Sequence, residues 1–166
     1  MSSENPVVLV LQGSASDDEP MAGCFKTLDA LAIPYVRRIL SAHRTPAEAD
    51  EVFQRAAGDG VRVIIAAAGL AAHLAGAAAS RSLLPVIGIP LAAGTLGGFD
   101  ALLSTVQMPP GIPVGTVGVG KHGAVNAALF AARILALDDA DLRRRLEEHR
   151  EGQRRKVLAA DAAIER

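Results

Sequence analysis

The hexapeptide "SAHRTP" at 41–46 sets a histidine beside an arginine between an apolar run and a helical pattern. An imidazole gains and loses a proton near neutral pH, which makes His43 a candidate general acid and base. The Arg44 guanidinium offers paired donors that match a phosphate group. Residues 45–48, "TPAE", have the spacing of a capping box with proline at the first helical position. Capping therefore explains 45–48, whereas His43 and Arg44 are left for chemistry.

A second candidate segment is "QGSASDD" at 12–18, which follows the apolar run "VVLVL". The hydroxyls of Ser14 and Ser16 lie close to the next predicted helix N-terminus, where free backbone N–H groups favour anions. Asp17 is either an N-cap or an acceptor for sugar hydroxyls. Because three consecutive acidic residues begin at Asp17, a phosphate here needs a cation from another loop, and Arg44 can supply it.

Other histidines and lysines carry weaker signals. His73 interrupts the apolar run "AAAGLAAHLAG" and is either a hydrogen-bonded core histidine or a ligand contact. Lys121 in "GKHG" lacks the preceding residues of a P-loop, so a conventional nucleoside-triphosphate site is not supported. The histidines have no metal-ligand spacing, and we expect no metal site.

Apolar runs alternate with helical patterns along the chain, which predicts an α/β fold with a parallel sheet covered on both faces. Ligands of such sheets bind outside the carboxyl ends of the strands. The predicted strands lie at 7–11, 35–40, 61–68, 85–90 and 114–119, and the predicted helices at 18–32, 46–57, 71–83 and 123–137. The turns expected to form the site are "QGSASDD", "SAHRTP", "AGLAAH", "PLAAGTLGG" and "GKHG".

The segment from Asp139 onward is heavily charged and has few apolar anchors. One interpretation is a solvated helix held by a narrow stripe. The other is that so thin a stripe, interrupted by Gly152, docks on another subunit. The anchors are Leu142, Leu146, Val157, Leu158 and Ile164.

Composition limits the class of protein. The 166 residues suit one domain, 1–166, and a net charge of −1 with 3% aromatic residues argues against a nucleic-acid partner. The single cysteine, Cys24, favours a reducing compartment. The polar start "MSSENP" is unlike a signal peptide, and no apolar run is long enough to span a membrane. We therefore expect a cytoplasmic protein.

Several segments in order resemble the PurE family of purine biosynthesis, and "SAHRTP" with "QMPPGIPV" is the most specific part of the match. The resemblance implies a flavodoxin-like three-layer α/β/α sandwich that forms a homo-octamer. It also implies an extended C-terminal helix, about 139–160, that packs on a neighbouring subunit. The matching segments are "GSASD" at 13–17, "SAHRTP" at 41–46, "AGLAAHLAG" at 68–76, "VQMPPGIPVGTVGVGK" at 106–121 and "NAALFAARIL" at 126–135.

The "AAHL" motif resembles the class I branch, whose members convert N5-carboxyaminoimidazole ribonucleotide to 4-carboxyaminoimidazole ribonucleotide without a cofactor or metal. The resemblance implies that His43 is the general acid and base and that Asp17 holds the ribose hydroxyls. Backbone amides at Ala68 and Gly69 would approach the carboxylate or trapped CO2. The phosphate contacts implied are Ser14, Ser16, Ser41 and Arg44, and the further substrate contacts are His73 and Leu74.

Some residues depart from the family pattern. Gln12 stands where the family usually has methionine, Leu70 where it has glycine, and Ala93 and Gly97 where serines are common. His122 adds a basic group without an assigned role. Two alternatives to the mutase remain open: direct CO2-dependent carboxylation of aminoimidazole ribonucleotide, and a ribotide-binding homologue without turnover.

Overall fold

A computed structural model describes residues 6–164 of the chain. The expectations for residues 1–5 and 165–166 lie outside that range. The strands are β1 (Val8–Gln12), β2 (Tyr35–Ile39), β3 (Val63–Gly69), β4 (Val86–Leu91) and β5 (Gly115–Thr116). The helices are α1 (Asp18–Ala30), α2 (Pro46–Arg55), α3 (Leu74–Arg81), α4 (Phe99–Val106), α5 (Gly120–Leu135) and α6 (Ala140–Ala162), and a short 3₁₀ turn spans Ala15–Asp17.

The strands form one parallel sheet in the order β2-β1-β3-β4-β5. Strand β1 lies between β2 and β3 in register with both neighbours, so that Val8 pairs with Tyr35 on one side and Val63 on the other. The chain leaves β1 toward β2 and then crosses back to β3. This reversal opens a crevice at the carboxyl ends of β1 and β3, where open α/β sheets bind ligands.

Alternate residues of each inner strand pack into two separate cores, as expected for strands buried on both faces. Val8 and Val10 face α1 and the alanine-rich α5. Leu9 and Leu11 face α2 and α3. The predicted α/β/α sandwich with a flavodoxin-like parallel sheet is therefore confirmed, and small side chains let its layers approach closely.

Three details differ from the sequence-based prediction. Helix α4 was missed, because its eight residues follow a glycine-rich loop and make only about two turns, too few to establish a helical period. Strand β5 has two residues instead of six, since Gly118 and Gly120 take positive φ angles and turn the chain out of the sheet. Helix α6 runs through Gly152 without interruption.

Helix α6 is anchored only near its start. Leu142 is buried and Leu146 is partly buried against the core, and the Arg145 guanidinium donates to the Leu31 carbonyl at 2.9 Å. Farther along, Val157 and Leu158 are exposed at 69% and 49%. The apolar side chains of the outer half of the helix are therefore largely exposed within residues 6–164. Within those residues, none of the helices is long and apolar enough to cross a membrane.

Gly123 and Gly152 test how closely the elements pack. A Cβ at Gly123 would overlap the Gly118 carbonyl, so Gly123→Ala must push α5 away from the β5 loop. We expect a loss of about 1–3 kcal/mol in unfolding free energy, measured by urea denaturation. A Cβ at Gly152 would meet nothing within 4 Å among residues 6–164, and Gly152→Ala should add about 0.5–1 kcal/mol. Equal effects of the two substitutions would contradict this packing.

Candidate functional site

A cavity of about 520 Å³ opens at the carboxyl edge of the sheet. The loops after β1, β2 and β3 line it, together with Ala93 after β4. All the site residues named from the sequence meet here, although they come from segments far apart in the chain. They are Ser14, Ser16, Asp17, Ser41, His43, Arg44, Ala68, Gly69, His73 and Leu74.

The loop after β1 is held by its own polar groups. The Ser14 hydroxyl accepts from the Ser16 amide at 3.4 Å, and the Asp17 carboxylate accepts from the Ser14 amide at 2.9 Å. This reciprocal pair is a capping box around the short 3₁₀ turn. Asp17 occupies the N-cap position of α1, as one interpretation predicted, but its side chain makes no capping hydrogen bond to that helix. One Asp17 oxygen makes the capping contact, and the carboxylate lines the cavity.

Burial is the largest influence on the Asp17 carboxyl and raises its pKa. The amides of Ser14 and Gly13 and the charge of Arg44 act in the opposite direction but are outweighed. The neighbouring Asp18 raises the pKa further. Because desolvation disfavours the charged form, the ionised carboxylate gains from any hydroxyl donor placed in the cavity.

The loop after β2 contains a side-chain clasp instead of the predicted helix cap. The Thr45 hydroxyl accepts from the Ser41 amide at 2.9 Å and donates to the Ser41 carbonyl at 3.2 Å. Thr45 therefore makes no cap to α2, and the capping-box prediction is wrong, although Pro46 does begin the helix. The Arg44 guanidinium donates to the Gly13 carbonyl at 2.7 Å. Arg44 thus joins the β1 and β2 loops at the cavity.

His43 and His73 form a hydrogen-bonded pair across the cavity. Nε2 of His43 lies 2.8 Å from Nδ1 of His73, and the rings meet edge to face with centroids 4.9 Å apart. His73 is exposed at the start of α3, so its interpretation as a core histidine is wrong. Because one ring must accept the shared proton, the bonded pair holds at most one extra proton. Nothing in the sequence signalled that these rings, thirty residues apart, would touch.

Small residues form the side of the cavity below the histidines. A Cβ at Gly69 would come within 2.8 Å of the Ala93 methyl, so only glycine fits between β3 and the β4 loop. Leu70 follows with φ of +56°, a left-handed conformation that is strained for leucine. Its side chain is 55% exposed beside the cavity and lies where a Cβ at Gly94 would come within 2.8 Å of it. Leu70, which stands where the family pattern has glycine, thus adds an apolar side chain to the cavity lining.

Sequence reasoning missed some lining residues and included one loop too many. Ala42 and Ala71 also line the cavity, but small apolar side chains carry no chemical signal in a sequence. The "GKHG" loop is not part of the lining. Lys121 and His122 lie instead on the first turn of α5, where the Lys121 ammonium pairs with Glu19 at 2.5 Å. Among residues 6–164, the His, Cys, Asp and Glu side chains form no group of three that could hold a metal ion.

Comparisons with known proteins agree with this geometry. A family model described as AIR carboxylase matches residues 7–156. An N5-carboxyaminoimidazole ribonucleotide mutase of Bacillus subtilis is 50% identical over 153 residues, which cover 92% of this chain and 94% of the relative. The mutase of that name from Brucella melitensis is 51% identical over 150 residues, covering 90% and 93%. The Escherichia coli K12 mutase is 46% identical over 158 residues, covering 95% and 94%.

The fold is also found in solved structures. A crystal structure of Treponema denticola PurE superposes with a TM-score of 0.87 at 28% identity and covers 97% of this chain and 99% of its own. This chain therefore shares its overall fold with a solved PurE structure.

The raised pKa of Asp17 predicts a pH-dependent stability difference. Between its ordinary value of 3.8 and its raised value, the folded wild type binds more protons than the unfolded chain, so it loses stability as pH rises. Asp17→Asn removes this loss, and its unfolding free energy relative to wild type should increase as pH rises above 3.8. Urea denaturation between about pH 3 and 7 measures it. Asp161→Asn, on the exposed end of α6, is the control, and a difference that falls with pH would contradict the assignment.

Proposed function

Because this chain belongs to the AIR carboxylase family, we propose that it converts N5-carboxyaminoimidazole ribonucleotide to 4-carboxyaminoimidazole ribonucleotide in purine biosynthesis. It is an isomerase that moves a carboxyl group within one substrate. The observation that carries the proposal is the cavity that joins Arg44, the serines of the β1 loop and the His43–His73 pair. A phosphate-binding end and a proton-transfer end are what a ribotide mutase needs.

The ribotide phosphate binds between the loops after β1 and β2. Ser14, Ser16 and Ser41 offer hydroxyl donors there, and the Arg44 guanidinium supplies the positive charge. Arg44 already contacts Gly13, so little side-chain freedom is lost when the phosphate arrives. Asp17 accepts hydrogen bonds from the ribose hydroxyls, which offset the desolvation of its carboxylate.

His43 moves the protons. The N5 carboxylate leaves as CO2, and protonated His43 gives its proton to N5. The enamine carbon C4 then attacks the CO2, and His43, now neutral, takes the proton from C4, so the enzyme ends as it began. His73 holds the His43 ring through the bond between Nε2 and Nδ1, which limits rotation of the ring during both steps.

The CO2 is held on the side formed by Ala68, Gly69 and Leu74. Gly69 brings backbone close to the reacting carboxylate because no side chain intervenes. Leu70 and Ala93 make the adjoining wall apolar, which favours CO2 over water and bicarbonate. The substituted positions are thus compatible with the mutase and supply no hydroxyl that would hold water there.

A turnover assay tests the function. Chemically made N5-carboxyaminoimidazole ribonucleotide should be converted without ATP or added bicarbonate, as followed in the ultraviolet. His43→Asn should lower kcat by about 100-fold or more, since it removes the proton carrier. His149→Asn, whose ring contacts Gln153 on α6 away from the cavity, is the matched control and should keep wild-type kcat.

Three results would count against the proposal. Faster turnover of aminoimidazole ribonucleotide that rises with CO2 would identify a direct carboxylase. Tight ribotide binding without turnover would identify a non-catalytic homologue. Unchanged kcat in His43→Asn would remove His43 from the chemistry.

We further propose a cytoplasmic homo-octamer in which α6 packs on a neighbouring subunit. The exposed apolar side chains of α6, Val157 and Leu158, support this because the described part of the chain leaves them uncovered. A second apolar face lies on α4, where Phe99, Leu103 and Val106 are exposed at helical spacing. The single cysteine, Cys24, is buried and free, which suits a reducing compartment.

Multi-angle light scattering tests the assembly. The wild type should have the mass of eight chains, and the double variant Val157→Glu with Leu158→Glu should give a smaller species, because charges would be buried at the contact. Ala159→Glu, which places the same charge on the side of α6 away from Val157 and Leu158, should leave the mass unchanged. A monomeric wild type would refute the octamer and the docked helix together.

A further inference from the structure

We propose that Arg37 is a positioning residue that, with Gln12, neutralises Asp18 and turns it away from the phosphate loop. This proposal rests on the proposed function, because it concerns how an acidic loop accepts an anionic ribotide. The loop after β1 leads directly into three acidic residues that begin at Asp17. Each unpaired carboxylate there would repel a phosphate held by Ser14 and Ser16.

Gln12, Asp18 and Arg37 form a closed set of contacts. The Gln12 amide nitrogen donates to the Asp18 carboxylate at 2.8 Å, and the Gln12 amide oxygen accepts from the Arg37 guanidinium at 3.1 Å. Arg37 also pairs directly with the same Asp18 oxygen. The Arg37 guanidinium lies over the Phe25 ring, 3.8 Å from its centroid. Arg37 is thus held from β1, from the start of α1 and from the middle of α1.

The burial of Gln12 shows that this network is built into the fold. Its side chain is fully buried at the end of β1, where an amide is costly without hydrogen-bond partners. The other buried polar side chains among residues 6–164 are Thr27 and Thr105, and both bond to a carbonyl of their own helix. Gln12 alone of these three connects different elements, and both of its amide atoms are used.

The network lies directly beneath the phosphate loop. The Gln12 carbonyl accepts from the Leu40 amide at 2.9 Å, one residue before Ser41. The next amide, of Gly13, donates to the Ala67 carbonyl at 3.1 Å. Gln12 therefore sits where β1, β2 and β3 all end, and its side chain connects that junction to Asp18. A shift of the Asp18 side chain would therefore alter the positions of Ser14 and Asp17.

Each acidic residue of the run has its own partner. Asp17 accepts from the Ser14 amide, Asp18 pairs with Arg37, and Glu19 pairs with Lys121. The Asp18 and Arg37 side chains are about half exposed, at 56% and 40%, so their pairing adds little to stability. Its larger effect is on the local field, since an unpaired Asp18 would leave a full negative charge next to the loop.

The test is a double-substitution cycle read as KM and kcat. Arg37→Met should raise KM for the ribotide about two- to fivefold with kcat nearly unchanged, and the rise should shrink in high salt. Adding Asp18→Asn to Arg37→Met should restore KM, because the repelling charge is gone. A merely structural contact would not be restored by removing its second partner. Arg37→Lys should stay close to wild type.

Arg38→Met is the matched control. Arg38 lies next to Arg37 on β2 but on the opposite side of the strand, and its loss changes the net charge by the same amount. Its KM should equal that of wild type. Thermal unfolding of each variant checks folding, and if Arg37→Met is unfolded, Asp18→Asn alone still tests the charge, because it should not raise KM.

Two outcomes would overturn the proposed role of Arg37. The first is an unchanged KM in folded Arg37→Met, and the second is a KM that Asp18→Asn fails to restore. Calorimetric titration with ribose 5-phosphate separates this proposal from the function. If the wild type does not turn over the substrate, the mutase proposal fails. The role of Arg37 is then tested by the affinities for ribose 5-phosphate, which should be weakened in Arg37→Met and restored when Asp18→Asn is added.

Discussion

The structure depends on the burial of β1 between two parallel neighbours and under helices on both faces. Because β1 pairs in register with β2 and β3, the ends of all three strands fall at one edge. The side chains of β1 up to Leu11 and of β3 are apolar and fill the two cores. The chemistry is thereby confined to the following loops, and Ser14, His43 and His73 meet although none is close to another in sequence.

The site resolves a conflict between charge and ligand. In the proposed function, an anionic ribotide binds beside three acidic residues that follow one another in the chain. In the folded chain each of these carboxylates has a partner from a different element. Asp17 accepts from an amide of its own loop, Asp18 pairs with Arg37 of β2, and Glu19 pairs with Lys121 of α5. Arg44 then remains oriented by the Gly13 carbonyl and faces the cavity.

The side of the cavity opposite the phosphate loop is lined by the apolar side chains of Leu70 and Ala93. Leu70 accepts a left-handed backbone and fits against Gly94, while Ala93 occupies the space that glycine leaves at position 69. The two loops therefore interlock through small and apolar groups at positions where the resemblance to the PurE family implies glycine and serine. A wall of this kind suits a reaction in which CO2 must stay in place while a proton moves.

The sequence alone determined the alternation of elements and the family, because buried parallel strands read as continuous apolar runs and "SAHRTP" is a specific motif. It also named residues that line the cavity, since the carboxyl-edge rule indicates the loops and the family resemblance indicates positions within them. It could not show the His43–His73 contact, the Thr45 clasp or the Gln12 network. Short loops such as 41–45 offer several competing hydrogen bonds of similar energy, and the eight residues of α4 are too few to establish a helical period. Only tertiary packing decides among these, because the partners come from elements that meet after the sheet has formed.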